Sequence, residues 1–306
     1  MKHILIDPSH ERHILDLRLL GFRDVQVLGR YTYTHAKAPL TLHDHGEMME
    51  VCYLADGQQS YYVGEEEFFL NGGDVLVNYP HELHGTGHQR EGRGTLYWMI
   101  IKPPSSHRSF FGLSSQEGHR LWKLLNSLPK RHFQVKSEVR RTLDMIFSLL
   151  EERNVLQKPL SASNAKDALI GMNVRNYLLR CILDLIEAAR TETVLSISRE
   201  IDLAIELIKR NSEQFYSMRA LAREVGLSES HFKHRFKAET GVSPADYQLR
   251  HKIDCACQML LEGVVIIDIT YNLGFSSSQY FATVFRRYMG VTPAEYRASK
   301  ATPTKG

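Results

Sequence analysis

The sequence predicts an α+β protein with an N-terminal β-barrel, a helical middle region and a C-terminal all-α domain made of two copies of one small helical unit. Three observations support this division of the 306 residues. Residues 25–101 contain short strand-like runs, residues 115–195 repeat apolar side chains at helical spacing, and a motif of the last third recurs 49 residues later. We therefore expect domains at residues 1–113, 114–195 and 196–300.

Composition and charge are those of an ordinary globular chain. Hydrophobic residues make up 43% and charged residues 24%, and nowhere do roughly 18 apolar residues run together, which excludes wholesale disorder and a membrane span. Four cysteines are too few for a disulfide framework and indicate a reducing compartment, so we expect a cytoplasmic protein. The net charge of +3 resides in residues 196–306, whereas ten of the fifteen histidines lie between His3 and His107.

The first domain is predicted to be an antiparallel barrel or sandwich. Its strand-like runs are VQVLGRYTYTH, EVCYLAD, QSYYV, EFFLNGGDVLVNYP and TLYWMII. Gly, Asp and Asn turns separate these runs at close intervals, which is typical of such sheets. Pro103 and Pro104 end the region.

The middle region is predicted to be helical and to contribute a dimer contact. Val139, Leu143, Ile146 and Leu150 follow one helical face. A second helix, around residues 174–189, has an apolar face that is wider than one small domain needs, formed by Leu178, Leu179, Ile182, Leu183, Leu185 and Ile186. We interpret that face as a two-fold contact in a homodimer; the alternative is that it packs only against the barrel.

The repeat of the last third predicts two helix-turn-helix units. In the first copy, Gly226 ends a short helix, Ser228 can cap the next helix, and Phe232 and Phe236 bury one face of it. The outer face is left polar and basic, as in a helix that enters a DNA major groove. For a single copy, a helical hairpin with solvated charges is the simpler interpretation, but duplication makes it improbable. A helix from Pro244 to about Leu261 would span roughly 27 Å and set the two units in successive grooves.

Residues 200–300 resemble the DNA-binding domain of the AraC/XylS family of bacterial transcription regulators. The positions that match the family pattern are Ala222, Gly226, Ser228, Phe236, Gly241, Pro244, Tyr247, Ile253, Ala256, Leu260, Ile269, Gly274, Phe275, Phe281, Phe285, Gly290, Pro293, Tyr296 and Arg297. Two positions depart from it, because Lys252 stands where Arg is usual and Thr270 where the second unit usually has Ala.

The resemblance also implies where DNA is contacted. The recognition helices are about Ser230–Lys237 and Ser278–Arg287. The expected base readers are Ser230, Lys233, His234, Ser278, Gln279 and Thr283. The side chains expected to hold phosphates are Lys237, Arg286 and Arg287.

A histidine pattern in the first domain suits a metal or a polar ligand. His43 and His45 point to the same side of a strand because its period is two, and Glu50 can return to that side. With His84, these residues offer three imidazoles and one carboxylate, a set that suits Zn, Mn, Fe or Ni. A polar pocket without metal and purely structural histidines are the alternatives.

This pattern, with Gly57 after Glu50, resembles the two motifs of a cupin barrel. The second of these motifs departs from the pattern of cupin enzymes. Pro80 and His84 are one residue closer together than in that pattern, and its usual glycine is missing. Tyr31, Tyr33 and Trp98 add hydroxyls and an aromatic face, which suit a sugar or related polyol or acid.

Together these features predict a transcription regulator with no catalytic residues. We expect its partners to be double-stranded promoter DNA, a small polar effector, a second copy of the chain and, where it acts as an activator, RNA polymerase. The alternative class is a metal-dependent cupin enzyme fused to a DNA-binding domain.

Overall fold

The protein is described here by a computed structural model, which covers residues 11–151, 160–161, 164–191 and 197–301. The chain divides into two compact units. The first unit comprises residues 1–32, 41–87 and 94–194, and the second comprises residues 33–40, 88–93 and 195–306. The three-domain boundaries stay predictions, and most of the expected linker at residues 190–198 lies outside the described residues. None of the helices in the described ranges combines the length and apolar composition that a membrane crossing requires.

The first unit is built on an antiparallel sheet. Its strands are β1 (Arg12–Asp16), β2 (Val25–Tyr33), β3 (Met49–Val63), β4 (Glu66–Asn71), β5 (Asp74–Asn78), β6 (His84–Gly85), β7 (Gly94–Ile101) and β8 (His132–Gln134). The main order is β1-β2-β7-β3-β5-β8, and β4 and β6 pair with the second half of β3. The long strand β3 therefore belongs to both parts of the sheet, with a register shift between Leu54 and Asp56.

Three helices of the first unit pack on this sheet. They are α1 (Ser115–Leu125), α2 (Ser137–Glu151) and α3 (Ala165–Arg190). The predicted face of α2 is buried, and it shares one apolar core with α3 and the sheet. On α3 the structure divides the predicted wide face in two. Leu178, Ile182, Leu185 and Ile186 are buried in that core, whereas Leu183 is 46% exposed.

The second unit contains two helix-turn-helix copies. Its helices are α4 (Arg199–Arg210), α5 (Met218–Glu224), α6 (Glu229–Thr240), α7 (Pro244–Leu261), α8 (Ile266–Asn272), α9 (Ser278–Met289) and α10 (Pro293–Ala301). The predicted linker helix is α7, which has the expected bounds. The α+β class, with an N-terminal antiparallel sheet and a C-terminal helix-turn-helix domain, is thus confirmed.

Local chemistry explains why the two copies fold alike. Gly226 and Gly274 have φ of 71° and 67°, a left-handed conformation that disfavours side chains with a Cβ. The hydroxyl of Ser228 accepts from the His231 amide to cap α6, and Ser277 does the same for α9. Phenylalanines four residues apart are fully buried in each copy, namely Phe232, Phe236, Phe281 and Phe285.

A buried lysine on α7 ties the two copies together. The Nζ of Lys252 donates to the carbonyl oxygen of Leu273 at 2.8 Å and to that of Ser212, and it lies 4.2 Å from the centroid of the Phe215 ring. Burial lowers the pKa of Lys252 to about 8. One ammonium thus satisfies backbone acceptors at the turn of the second copy and in the segment before α5.

We expect Lys252→Met to lower the free energy of unfolding by about 2 kcal/mol or more, since an unpaired buried carbonyl costs about 1–3 kcal/mol. Lys252→Arg keeps a donor and is the matched control. Chemical denaturation measures both. Equal stability of the Met variant and the native chain would contradict the role of Lys252.

The pH dependence of stability gives a second readout of the same residue. Folded Lys252 loses its proton near pH 8, whereas an unfolded lysine keeps its proton to about pH 10.5. Between these values the unfolded state binds more protons, so the contribution of Lys252 makes the free energy of unfolding rise with pH. We expect this added slope between about pH 8 and 10 to disappear in Lys252→Met.

Candidate functional site

The candidate nucleic-acid interface is the outer face of the two recognition helices. On α6, all four predicted contact residues are exposed, namely Ser230, Lys233, His234 and Lys237. The Nζ of Lys233 forms an ion pair with the Glu229 carboxylate one turn earlier. Lys233 must therefore leave Glu229 before it can contact a base.

On α9 the predicted residues are placed less uniformly. Ser278, Gln279, Thr283 and Arg286 are exposed, whereas Arg287 is half-buried. The Thr283 hydroxyl donates to the backbone carbonyl oxygen of Gln279 at 2.9 Å, so this hydroxyl is already engaged within the helix. The exposed side-chain amide of Gln279 is therefore better placed than Thr283 to contact a base edge. Tyr271 of α8 is 85% exposed.

The second candidate site lies in the first unit, where the structure brings four predicted residues together. Ligand atoms of His43, His45, Glu50 and His84 all lie within 4.8 Å of one another. We call this group the histidine cluster. A backbone bridge between His43 and His84 holds the strand segments side by side, with N···O distances of 3.0 and 2.8 Å. The imidazole centroids are 4.6 to 5.2 Å apart.

Hydrogen bonds to the backbone orient two of the imidazoles. The Nδ1 of His43 lies 2.9 Å from the Thr41 carbonyl oxygen, and the Nδ1 of His84 lies 2.8 Å from that of Glu82. Each Nδ1 therefore carries the proton, which leaves the Nε2 lone pair as the available ligand. The Nε2 atoms of His45 and His84 are buried, and both lie within ion-pair distance of the Glu50 carboxylate.

The charge at the centre of the cluster belongs to Glu50, which is 5% exposed. Its carboxylate oxygens lie 3.4 Å from His45 Nε2 and 3.0 Å from His84 Nε2. Burial by itself raises the pKa of Glu50, but the two imidazoles outweigh burial and hold this pKa well below its usual range. Burial likewise lowers the pKa of His84, yet the adjacent Glu50 carboxylate raises it overall.

Two further side chains contact Glu50 that the sequence analysis missed. The Nδ2 of Asn78 donates to Glu50 Oε2 at 3.0 Å, and the Sγ of Cys52 donates to the same oxygen at 3.3 Å. Asn78 is the register partner of Glu50 on β5, so both side chains lie on one face of the sheet. Only the pairing of strands reveals this contact.

The residues present fit a divalent transition metal. Three imidazole nitrogens and one carboxylate oxygen are a donor set that such ions prefer, and backbone acceptors already orient two of the rings. The buried Nε2 atoms of His45 and His84 lie beside the Glu50 carboxylate, so nitrogen and oxygen donors reach one position.

The predicted aromatic residues divide between two places. Tyr31 and Trp98 are buried with ring centroids 6.3 Å apart, and the Arg12 guanidinium lies 4.9 Å from the Trp98 ring. Trp98 is the register partner of Cys52, beside Glu50. Tyr33 instead begins the segment 33–40 of the second unit, where Lys37 covers its ring at 5.3 Å.

Both parts of the chain are similar to known proteins. The AraC-like ligand binding domain model matches residues 29–169, and a helix-turn-helix domain model matches residues 221–299. The MmsAB operon regulatory protein of Pseudomonas aeruginosa is 23% identical over 250 residues, which are 80% of this chain and 73% of that protein.

Other relatives match the C-terminal part alone. The virulence regulon transcriptional activator VirF of Yersinia enterocolitica is 35% identical over 100 residues, 32% of this chain and 37% of that protein. The transcriptional activator RhaR of Salmonella dublin is 32% identical over 111 residues, 35% of this chain and 39% of that protein. The chain thus covers little more than a third of the length of these two activators.

Among solved structures, the DNA-binding domain of AdpA in complex with a target DNA is similar. It is 25% identical, with a TM-score of 0.33, over 36% of this chain and all of that chain. The two domain models together match more than half of the 306 residues. The chain belongs to the AraC family, with an AraC-like ligand-binding domain followed by a helix-turn-helix domain.

Proposed function

We propose that this chain is a sequence-specific DNA-binding transcription regulator that acts on promoter DNA in the cytoplasm. The observation that carries the proposal is the pair of recognition helices, α6 and α9, each capped by a serine and each presenting a polar face. VirF and RhaR are named transcriptional activators, which supports activation and contact with RNA polymerase here.

Two substitutions on α9 separate base reading from phosphate contact. We expect Gln279→Ala to cost about 1–3 kcal/mol at one base pair and to relax specificity there, because an amide can pair with adenine. Arg286→Ala should weaken cognate and random DNA equally and reduce the salt slope by about 1. Fluorescence anisotropy on both DNAs across a salt series measures this. Equal losses on cognate and random DNA for Gln279→Ala would exclude base reading.

The histidine cluster gives the regulator its proposed sensor site. His43, His45, Glu50 and His84 would hold a divalent transition metal, which when bound supplies a Lewis acid for oxygen donors of a ligand. The chain itself places polar groups beside this position, namely the carboxylate and the Asn78 amide. A small polar effector, such as a carbohydrate or related metabolite, fits this lining better than an apolar one.

Metal binding is tested with one ligand variant and one matched control. We expect the native chain to retain one Zn²⁺ after gel filtration, and His45→Ala to weaken binding more than tenfold, because a direct ligand is lost. His81→Ala is the control, since its imidazole is 63% exposed and lies near Glu47 rather than in the cluster. Metal content and zinc titration measure both. A native chain without zinc, or equal losses in both variants, would refute the site.

The donor set of three imidazoles and one carboxylate also favours a second candidate, a metal-dependent enzyme joined to a DNA-binding domain. The two candidates differ in one measurement. A regulator returns its effector unchanged after incubation, whereas an enzyme converts it, and mass spectrometry of the released ligand distinguishes the outcomes.

We also propose a homodimer, through the outer face of α3 rather than its buried one. Leu169, Met172 and Leu183 are exposed and Leu179 is half-buried. With Asn176 these residues repeat at intervals of three and four along the helix, the pattern of a coiled-coil seam with one polar position.

A charge on this face should therefore separate the protomers. We expect Leu183→Glu to give a monomer at tens of micromolar, whereas Leu203→Glu on α4, where Leu203 is 42% exposed, should leave the dimer intact. Sedimentation velocity of the full chain measures the oligomeric state. A native monomer at that concentration would refute the dimer.

A further inference from the structure

A large cleft lies in the first unit among residues other than those of the histidine cluster. Its volume is about 780 Å³. Three parts of the chain line it: the segment between β1 and β2, the loop after β7, and the side chain of Arg175 on α3. Such a volume lies within the range of small-molecule sites.

The cleft carries an excess of positive charge. Arg23, Lys102, Arg108 and Arg175 line it and are exposed, and none of them forms a salt bridge with a carboxylate of the described residues. A fifth lining cation, Arg18, is bound by Asp16 at 2.6 Å. We call the group of four the basic cleft.

Among the described residues, Asp24 is the one carboxylate that lines the basic cleft, and the backbone already engages it. Asp24 Oδ2 accepts from the Phe111 amide at 2.9 Å, and the Asp24 carbonyl oxygen accepts from the Lys102 amide at 2.8 Å. Burial raises the pKa of Asp24. Asp24 thus fixes the loop after β7, and of the four cations Arg175 is the one that acts on its charge.

The local backbone shows that this loop is held in a defined conformation. Phe111 has φ of 53°, a left-handed value that is unusual for a bulky side chain, and its ring is buried in the core. Pro103 and Pro104 restrict the start of the loop. On the other wall, the Arg175 guanidinium lies 5.5 Å from the centroid of the Phe22 ring. The cations therefore surround the cleft from elements whose positions are fixed.

Like charges around one cavity repel each other, and an anion bound between them adds an attraction to each cation that offsets this repulsion. Three of the four cations are guanidinium groups, which bind carboxylate and phosphate oxygens through paired N–H donors. Four cations against one carboxylate match a ligand that carries about three negative charges.

We propose that the basic cleft is a second ligand site, which binds a small organic anion bearing two or more phosphate or carboxylate groups. This site shares no residue with the histidine cluster or with the recognition helices α6 and α9. It goes beyond the proposed regulation through the histidine cluster, because it gives the ligand-binding domain a separate input for anionic metabolites.

The test uses isothermal titration calorimetry on the full chain with three probes. Fructose 1,6-bisphosphate is the phosphate probe, tricarballylate is the carboxylate probe, and fructose is the uncharged control. We expect at least one anionic probe to bind at one site per chain, with an affinity that falls as salt rises. The anion that binds shows whether the ligand carries phosphate or carboxylate groups. Binding of fructose alone would contradict an anion site.

Variants then locate the site. We expect the double variant Arg23→Gln with Arg108→Gln to weaken binding of the anion at least tenfold. Arg141→Gln is the matched control, because Arg141 is exposed and pairs with Glu138 on α2, outside the cleft. Thermal unfolding and zinc binding verify that each variant is folded. Unchanged affinity in the folded double variant, or no binding of either anion at millimolar concentration, would overturn the proposal.

Discussion

Burying the Glu50 carboxylate within the sheet would cost several kcal/mol without compensation, and the residues that surround it supply that compensation. Asn78 donates to Glu50, and the imidazoles of His45 and His84 lie against its two oxygens. Glu50 also raises the pKa of His84, so the carboxylate favours a proton on this imidazole. A divalent cation would provide positive charge more fully, using the same Nε2 atoms, and metal would therefore compete with the proton.

The two helix-turn-helix copies of the second unit could be predicted from the sequence, because their determinants are local, whereas the inclusion of residues 33–40 and 88–93 in that unit could not. A glycine with positive φ, a capping serine and two phenylalanines four residues apart define each copy within a span of about a dozen residues. The cap of the second copy is Ser277, which follows another serine, Ser276. Two adjacent serines offer the same hydroxyl, so sequence alignment cannot choose between them, whereas the backbone geometry can.

In the ligand-binding domain, the sequence predicts local patterns but not the contacts between distant segments. The pattern of His43, His45 and Glu50 was visible because a strand repeats every two residues. The contact with Asn78 depends on the register between β3 and β5, and the basic cleft depends on three segments that are far apart in sequence. Neither register nor the distance between such segments follows from local composition. The apolar face of α3 was likewise visible, but which half of it is buried was decided by packing on the sheet.

The helix α3 contributes to the apolar core, to the basic cleft and to the proposed dimer contact. Leu178 and Ile182 face the core, Arg175 faces the basic cleft, and Leu183 lies on the outer face. A rigid helix of 26 residues cannot move one of these faces without the others. A ligand changes DNA binding only to the extent that it binds one arrangement of the protein better than another. An anion bound by Arg175 would therefore act on the same helix that carries the proposed dimer seam. Dimerisation raises the effective concentration of a second DNA reader, so a ligand that changed the position of α3 would change operator occupancy through the proposed seam.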